Sequence, residues 1–209
     1  MSQSSPASPL SDQPPLPDAH LREHRLGGRI LSDGSFLQLR RDDVRLPDGS
    51  SATREYVVHP GAVAIVPLLD DGRLVLERQF RYPVGQVLLE IPAGKIDAGE
   101  STLACAMREL LEETGYRAQQ WAFGGVLHNA AAYSTEAIEI WFARGLQHGV
   151  QRLDAGEFIE LYLMSETDLQ QRAAAGELSD MKTVIGLMWL QQWRAGQRSL
   201  HWQAAGDNA

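Results

Sequence analysis

Residues 94–116 read GKIDAGESTLACAMRELLEETGY. Four glutamates, one arginine and three glycines share these 23 positions, and Glu109, Glu112 and Glu113 crowd into a segment whose apolar spacing predicts a helix. Leu103, Met107, Leu110 and Leu111 recur at i, i+4, i+7 and i+8, the spacing of a buried stripe, and Gly115 supplies a left-handed stop. Glu109 and Glu113 are i,i+4 neighbours and Glu112 lies i,i+3 from Glu109, so the three carboxylates project from one sector, expected on the exposed side of a docked helix. Like charges at this spacing repel, and the face calls for a cation.

Hard divalent cations such as Mg²⁺ take carboxylate and backbone carbonyl oxygens together with water, and substrate phosphates often complete the shell. A phosphate-handling metal site is the chemistry this pattern points to. Arg108 lies i,i+4 from Glu112 and is placed to orient that carboxylate by a charge-assisted hydrogen bond. Cys105, the one cysteine, reads as a small apolar helix residue rather than a nucleophile.

The 209 residues suffice for one substantial core with appendages. Residues 1–19 hold five of the ten prolines and almost no large apolar side chains, and read as a disordered leader. There is no positively charged start with an apolar run behind it and no stretch of about 18 apolar residues, so neither a signal peptide nor a membrane span is expected. A single cysteine excludes an internal disulfide and fits a reducing compartment, with the cytoplasm as the expected location. With 27 acidic against 19 basic residues the net charge is −8, which argues against a nucleic-acid footprint. An acidic protein that handles an anionic substrate needs local arginines or a bridging cation, and the sequence offers both.

From about His24 to Pro60 the pattern is β: FLQLRRDDVRL, a PDGS turn and ATREYVVHP read as a hairpin. GAVAIVPLL is a short continuous apolar run typical of a buried strand, RLVLERQFRY follows an Asp71-Gly72 turn, and VLLEIPAGKI leads into the acidic segment. WAFGGVLHN, EAIEIWFARGL and EFIELYLM are further strands, and SETDLQQRAAAGEL, capped by Ser165, and SDMKTVIGLMWLQQWRAG are closing helices. Strands around a central helix, ending in helices, predict an α/β/α sandwich with a mixed sheet.

Gly94, Glu100 and Arg108-Glu109-Leu110-x-Glu112-Glu113-x-Gly115 closely resemble the Nudix box of the Nudix hydrolases. Seven fixed identities match by chance on the order of 10⁻⁹ per starting position. Tyr116 departs slightly, since the family more often carries an aliphatic residue there. The resemblance extends through REYVVHPGAVAIVPL, ERQFRYPVG and YSTEAIEIWFARGL, over roughly residues 24 to 196, to the subgroup that cleaves ADP-ribose and related nucleoside diphosphate sugars. It implies a Nudix fold with an N-terminal antiparallel extension: a leader at 1–19, a dimerising β region at 20–60, the Nudix domain at 61–198 and a tail at 199–209. It also implies a homodimer that exchanges N-terminal strands, with Arg54 contributed to the partner's substrate site, and Arg81 and Glu136 as substrate contacts.

The same resemblance implies Mg²⁺ as cofactor, with Mn²⁺ substituting, held principally by Glu109 and Glu113 with Glu112 and the carbonyl of Ala93. Glu100 either ligates or buttresses the loop. Glu112, Arg108 and Glu157 are the catalytic candidates; Glu157, in RLDAGEFIE, is the first choice for the base that activates water and also a candidate metal ligand, with Asp154 second. The subgroup's proline 16 residues beyond the final glycine of the box is Ala131 here, which loosens the preference for ADP-ribose and admits GDP-mannose or a broad range of sugars. A non-catalytic Nudix sensor of nucleotide metabolites would be expected to lose box carboxylates or gain a DNA-binding domain, and this chain does neither.

Overall fold

The computed structural model describes residues 18–206. The leader expected at 1–19 lies outside the described residues as far as residue 17, and Asp18–His20 form a 3-10 turn. Strands β1 (His24–Asp33), β2 (Gln38–Arg45) and β3 (Ser51–Val58) make an antiparallel sheet in the order β1-β2-β3. The hairpin read from the sequence is β2 and β3, joined through Asp48, whose carboxylate accepts from the Ser50 N–H at 2.9 Å, and Gly49 at φ 86°. The sequence reading missed β1 as a third strand. It docks through buried Asp42, which accepts from Arg25 at 2.8 Å and Tyr56 at 2.9 Å. Gly28 makes the approach possible, because a Cβ there would lie 1.8 Å from Asp42 Oδ1.

The larger sheet contains β4 (Ala62–Leu68), β5 (Arg73–Arg81), β6 (Gln86–Glu90), β7 (Ala93–Lys95), β8 (Tyr116–His128), β9 (Ala137–His148), β10 (Ile159–Ser165) and β11 (Trp202–Ala204). Its main order is β10-β5-β4-β9-β8-β11, with β4 and β9 parallel and their other pairings antiparallel. Residues 199–209, expected as a tail, therefore include a sheet edge: Trp202 pairs with Ala122, and its ring lies under the Arg144 guanidinium at 4.0 Å.

All seven residues of β4 are buried, as its unbroken apolar run requires of a strand covered on both faces. Val63 and Ile65 face helix α1 (Thr102–Thr114) within one apolar cluster. Ala62, Ala64, Val66 and Leu68 join Leu74, Leu76, Leu169, Leu187 and Leu190 in the other, under α2 (Glu166–Ala174) and α3 (Met181–Arg194). Each fully buried leucine contributes about 2 kcal/mol. The result is the α/β/α sandwich with a mixed sheet that the order of elements predicts.

One detail of the sheet positions the site. β4 and β5 pair at Leu68↔Leu74 and then part: β6 continues alongside β5 while β7 continues alongside β4. The sheet forks, and a cleft opens between the two prongs.

Candidate active site

Helix α1 begins at Ser101, whose hydroxyl accepts from the Ala104 N–H at 3.2 Å, and ends at Gly115 in the left-handed region at φ 74°. Leu103 and Leu110 anchor it on β4, while Met107 and Leu111 are only half-buried and Cys105 and Ala106 are fully buried. The packed stripe is thus rotated from the expected one. The carboxylates consequently do not lie on an exposed side: Glu113 is 3% exposed, the Glu109 side chain 13% and that of Glu112 36%. They point into the fork of the sheet.

Two backbone features receive them. The Ala93 N–H donates to Glu113 Oε2 at 2.9 Å, joining α1 to β7. The Glu109 carboxylate lies over Gly94, where a Cβ would approach its carboxyl carbon to 1.9 Å. Burial, then the neighbouring charges of Glu77 and Glu109, raise the Glu113 pKa well above the usual carboxylate range, and burial raises Glu109. Both groups are held where a negative charge is costly unless a cation comes to them.

Arg108 is the hub of the box. Its guanidinium donates to Glu100 at 3.0 and 2.9 Å, to Glu109 at 2.8 Å, to Glu112 at 3.1 Å and to the Lys95 carbonyl at 3.1 Å. Glu100 has both oxygens on Arg108 and buttresses the loop before the helix. Hydrogen bonding to Arg108 holds its carboxyl below the usual range. The buried Cys105 thiol contacts the Lys95 carbonyl at 3.3 Å, and burial pushes its pKa up, as expected of an unreactive core cysteine.

The cleft between the prongs has a volume of about 640 Å³. The box carboxylates form one wall, and Arg81 at the end of β5 faces it with two parallel bonds to Glu90, each 2.8 Å. Glu136 also lines the cleft, where Asn129 donates to it at 3.0 Å and His59 Nε2 lies 3.7 Å away. Glu157 and Asp154 both line the cleft from the loop before β10, linked by a Glu157 N–H to Asp154 carbonyl bond of 3.0 Å. Arg54 is elsewhere: on β3, half-exposed, it is paired with Glu23 at 2.9 Å and does not line its own chain's cleft.

The sequence profile of the NUDIX domain matches residues 58–183, and that of the nucleoside diphosphate sugar hydrolase N-terminal domain matches residues 23–57. The chain belongs to the Nudix hydrolase family. It is 33% identical over 173 residues to an ADP-ribose pyrophosphatase of Bacillus subtilis, covering 82% of this chain and 94% of that one. It is 36% identical over 163 residues to a methanol dehydrogenase activator of Bacillus methanolicus, covering 77% and 88% respectively. A solved structure of an ADP compounds hydrolase shares the fold with a TM-score of 0.75 over 85% of this chain and 97% of that one, at 24% identity.

The donor set of this Nudix box suits a hard cation. Glu109, Glu112, Glu113 and the Ala93 carbonyl are all oxygen donors, and Gly94 leaves the space that a side chain would fill. Among the described residues no three His, Cys, Asp or Glu side chains already close on one point. Glu109 and Glu112 are turned to Arg108, which offers the charge a cation would replace.

Sequence reasoning missed Glu90, Lys182 and Asp180. Lys182, in the first turn of α3, donates to Glu90 and, at 2.9 Å, to Asp180, and all three line the cleft. Against the burial that would raise it, Arg81 and Lys182 hold Glu90 below the usual range. The alternation in QVLLE marks Glu90 as sharing a face with Leu88, but only the fork tells that this face turns to a cleft.

Proposed function

We propose that the chain hydrolyses the pyrophosphate bond of nucleoside diphosphate sugars, ADP-ribose foremost, to a nucleoside monophosphate and a sugar phosphate in a Mg²⁺-dependent reaction. The observation that carries this reading is the pairing across one cleft of an acidic wall, Glu109, Glu112 and Glu113, with the guanidinium of Arg81. An acidic wall alone would repel a diphosphate. With a cation on that wall and an arginine fork opposite, the cleft suits an anion flanked by two larger groups. The name of the Bacillus subtilis relative supports ADP-ribose as the first substrate to test.

Glu109, Glu113 and the Ala93 carbonyl would hold the cation, with Glu112 and Glu157 as further ligands. Bound there, Mg²⁺ or Mn²⁺ supplies charge neutralisation on the phosphoryl oxygens. Arg108 sets the rotamers of Glu109 and Glu112, and Arg81, stiffened by Glu90, grips the diphosphate. Glu157, or Asp154 beside it, takes a proton from water as the water oxygen bonds to phosphorus and the bridging P–O bond breaks. Glu136, held between Asn129 and His59, contacts the substrate away from the metal.

The enzyme acts as a homodimer through β1–β3, in the cytoplasm, with Arg54 acting on the partner's substrate. Its position outside its own cleft is consistent with a role in trans. Ala131 lies in the turn before β9, where proline's restriction on the backbone is absent, and this favours tolerance of several sugars. A screen of ADP-ribose, ADP-glucose, GDP-mannose and dinucleotides, read by phosphate release after phosphatase treatment with and without Mg²⁺, tests the reading. Metal-dependent turnover of the nucleoside diphosphate sugars is expected. Tight binding with no turnover of any of them would favour a sensor instead.

A further inference from the structure

Glu77 sits in the third position beyond Leu74, where β4 and β5 part, at the root of the fork. It is fully buried, and neither carboxylate oxygen has a hydrogen-bond donor among the described residues. Leu74 and Leu76 pack under α2 and α3, so strand alternation sends Glu77 to the opposite face, the side of α1 and the box. Across β5 and β6 it is paired with Glu90, a second buried carboxylate.

Among the described residues no partner explains it. The two cations near it, Arg81 and Lys182, are committed to Glu90 and Asp180. Two positions along the same strand face, Gln79 Oε1 is also buried without a donor. An apolar residue at 77 would continue the run of Leu74, Val75 and Leu76, whereas a carboxylate buried without donors costs several kcal/mol. The cross-strand partner of Glu77, Glu90, lines the same cleft as Glu109 and Glu113. A buried acceptor-only group behind the wall of an acidic cleft suits one kind of company, a cation that arrives with water molecules able to donate hydrogen bonds.

We propose that Glu77 is a positioning residue of the metal centre, raising its affinity for a divalent cation by adding buried negative charge at the root of the fork and by accepting hydrogen bonds from water the ion carries. This rests on the metal dependence proposed above. It accounts for a residue that weakens the metal-free fold: its carboxylate becomes favourable when the ion is present.

The experiment is a Mn²⁺ titration of the substrate-free, full-length protein, following free Mn²⁺ by electron paramagnetic resonance, with Glu77→Gln and Glu77→Val beside the wild type and thermal unfolding in EDTA as the control. Both variants should bind Mn²⁺ at least about ten-fold more weakly. Glu77→Val should at the same time unfold at a higher temperature without metal, a combination that a merely structural residue would not give. Affinities within about two-fold of wild type for both folded variants would overturn the inference while leaving the metal dependence standing. If Glu77→Val does not fold, Glu77→Gln decides. A wild-type protein that binds no Mn²⁺ would overturn the proposed metal dependence and this inference with it.

Discussion

Glu113, in the last turn of α1, accepts a hydrogen bond from the backbone N–H of Ala93 on β7 at 2.9 Å, and this bond ties the acidic helix to the strand whose carbonyl is the proposed neighbouring ligand. It leaves one Glu113 oxygen for a cation and fixes where that oxygen lies. Geometry of this kind makes small displacements costly.

Gly94→Ala tests that precision. The added Cβ would lie 1.9 Å from the carboxyl carbon and Oε1 of Glu109 and 2.4 Å from Oε2. The carboxylate is the far end of a flexible side chain, so it can swing away at little cost to the fold. Activity should fall at least about ten-fold with a raised Mg²⁺ requirement, while the unfolding midpoint moves by less than about 4 °C. Steady-state kinetics at several Mg²⁺ concentrations check this, and unchanged kinetics would mean that Glu109 is not held by Gly94.

Arg81→Lys keeps the charge and removes the fork that makes two 2.8 Å bonds to Glu90. A lysine cannot meet a carboxylate and a diphosphate in one planar geometry. KM for ADP-ribose should rise about ten-fold or more with a smaller change in kcat. An unchanged KM would leave Arg81 as a partner of Glu90 alone.

The pH dependence of the metal-free fold follows from Glu77 and Glu113. Burial, foremost, raises the Glu77 pKa from 4.5 to about 8, and burial raises Glu113 in the same direction. A group whose folded pKa lies above its unfolded value contributes stability that is complete below the unfolded pKa and lost as pH rises through the folded one. Glu90 and Glu100 are shifted down and stabilise the fold above their unfolded pKa values, losing that contribution only in acid. In EDTA the melting temperature should therefore decline as pH climbs from about 4.5 to about 8, and Glu77→Val should flatten the decline. Differential scanning calorimetry across that window decides, and a melting temperature that rises through it would contradict the sign.

Much of the acidic wall of this cleft was legible in residues 94–116 because Glu109, Glu112, Glu113, Arg108 and Gly94 lie within two helical turns and one loop, where sequence spacing is spatial spacing. The helix, its Gly115 end and the bond from Arg108 to Glu112 follow from local rules. The burial of Glu109 and Glu113 did not follow, since amphipathic reasoning sends carboxylates to solvent and cannot see that β4 and β5 part beneath them. Lys182 reaches Glu90 across 92 residues, and no local pattern carries that contact. β11 was missed because three residues are too few to show alternation, and β1 because Gly27 and Gly28 interrupt it.

The N-terminal sheet predicts an oligomer. Leu26, Ile30, Phe36 and Leu39 are all more than a third exposed on β1, β2 and the turn between them, with Ile30 and Leu39 on opposite faces of the sheet, apolar surface that a second copy exchanging these strands would cover. Light scattering at micromolar concentration should give twice the chain mass, and Arg54→Ala should raise KM without dissociating the dimer. A fully active monomer would remove both the dimer and the role of Arg54 in trans.

The most direct test of the account is kcat for ADP-ribose hydrolysis by Glu113→Gln in saturating Mg²⁺, with unfolding followed in parallel. Glutamine preserves an oxygen that can accept from the Ala93 N–H but removes the charge that would hold the cation. A fall of at least about 10²-fold in kcat with a folded protein is the predicted result. Near-normal turnover would show that no cation bound at Glu113 assists the reaction, and the assignment of this cleft as the active site would fail.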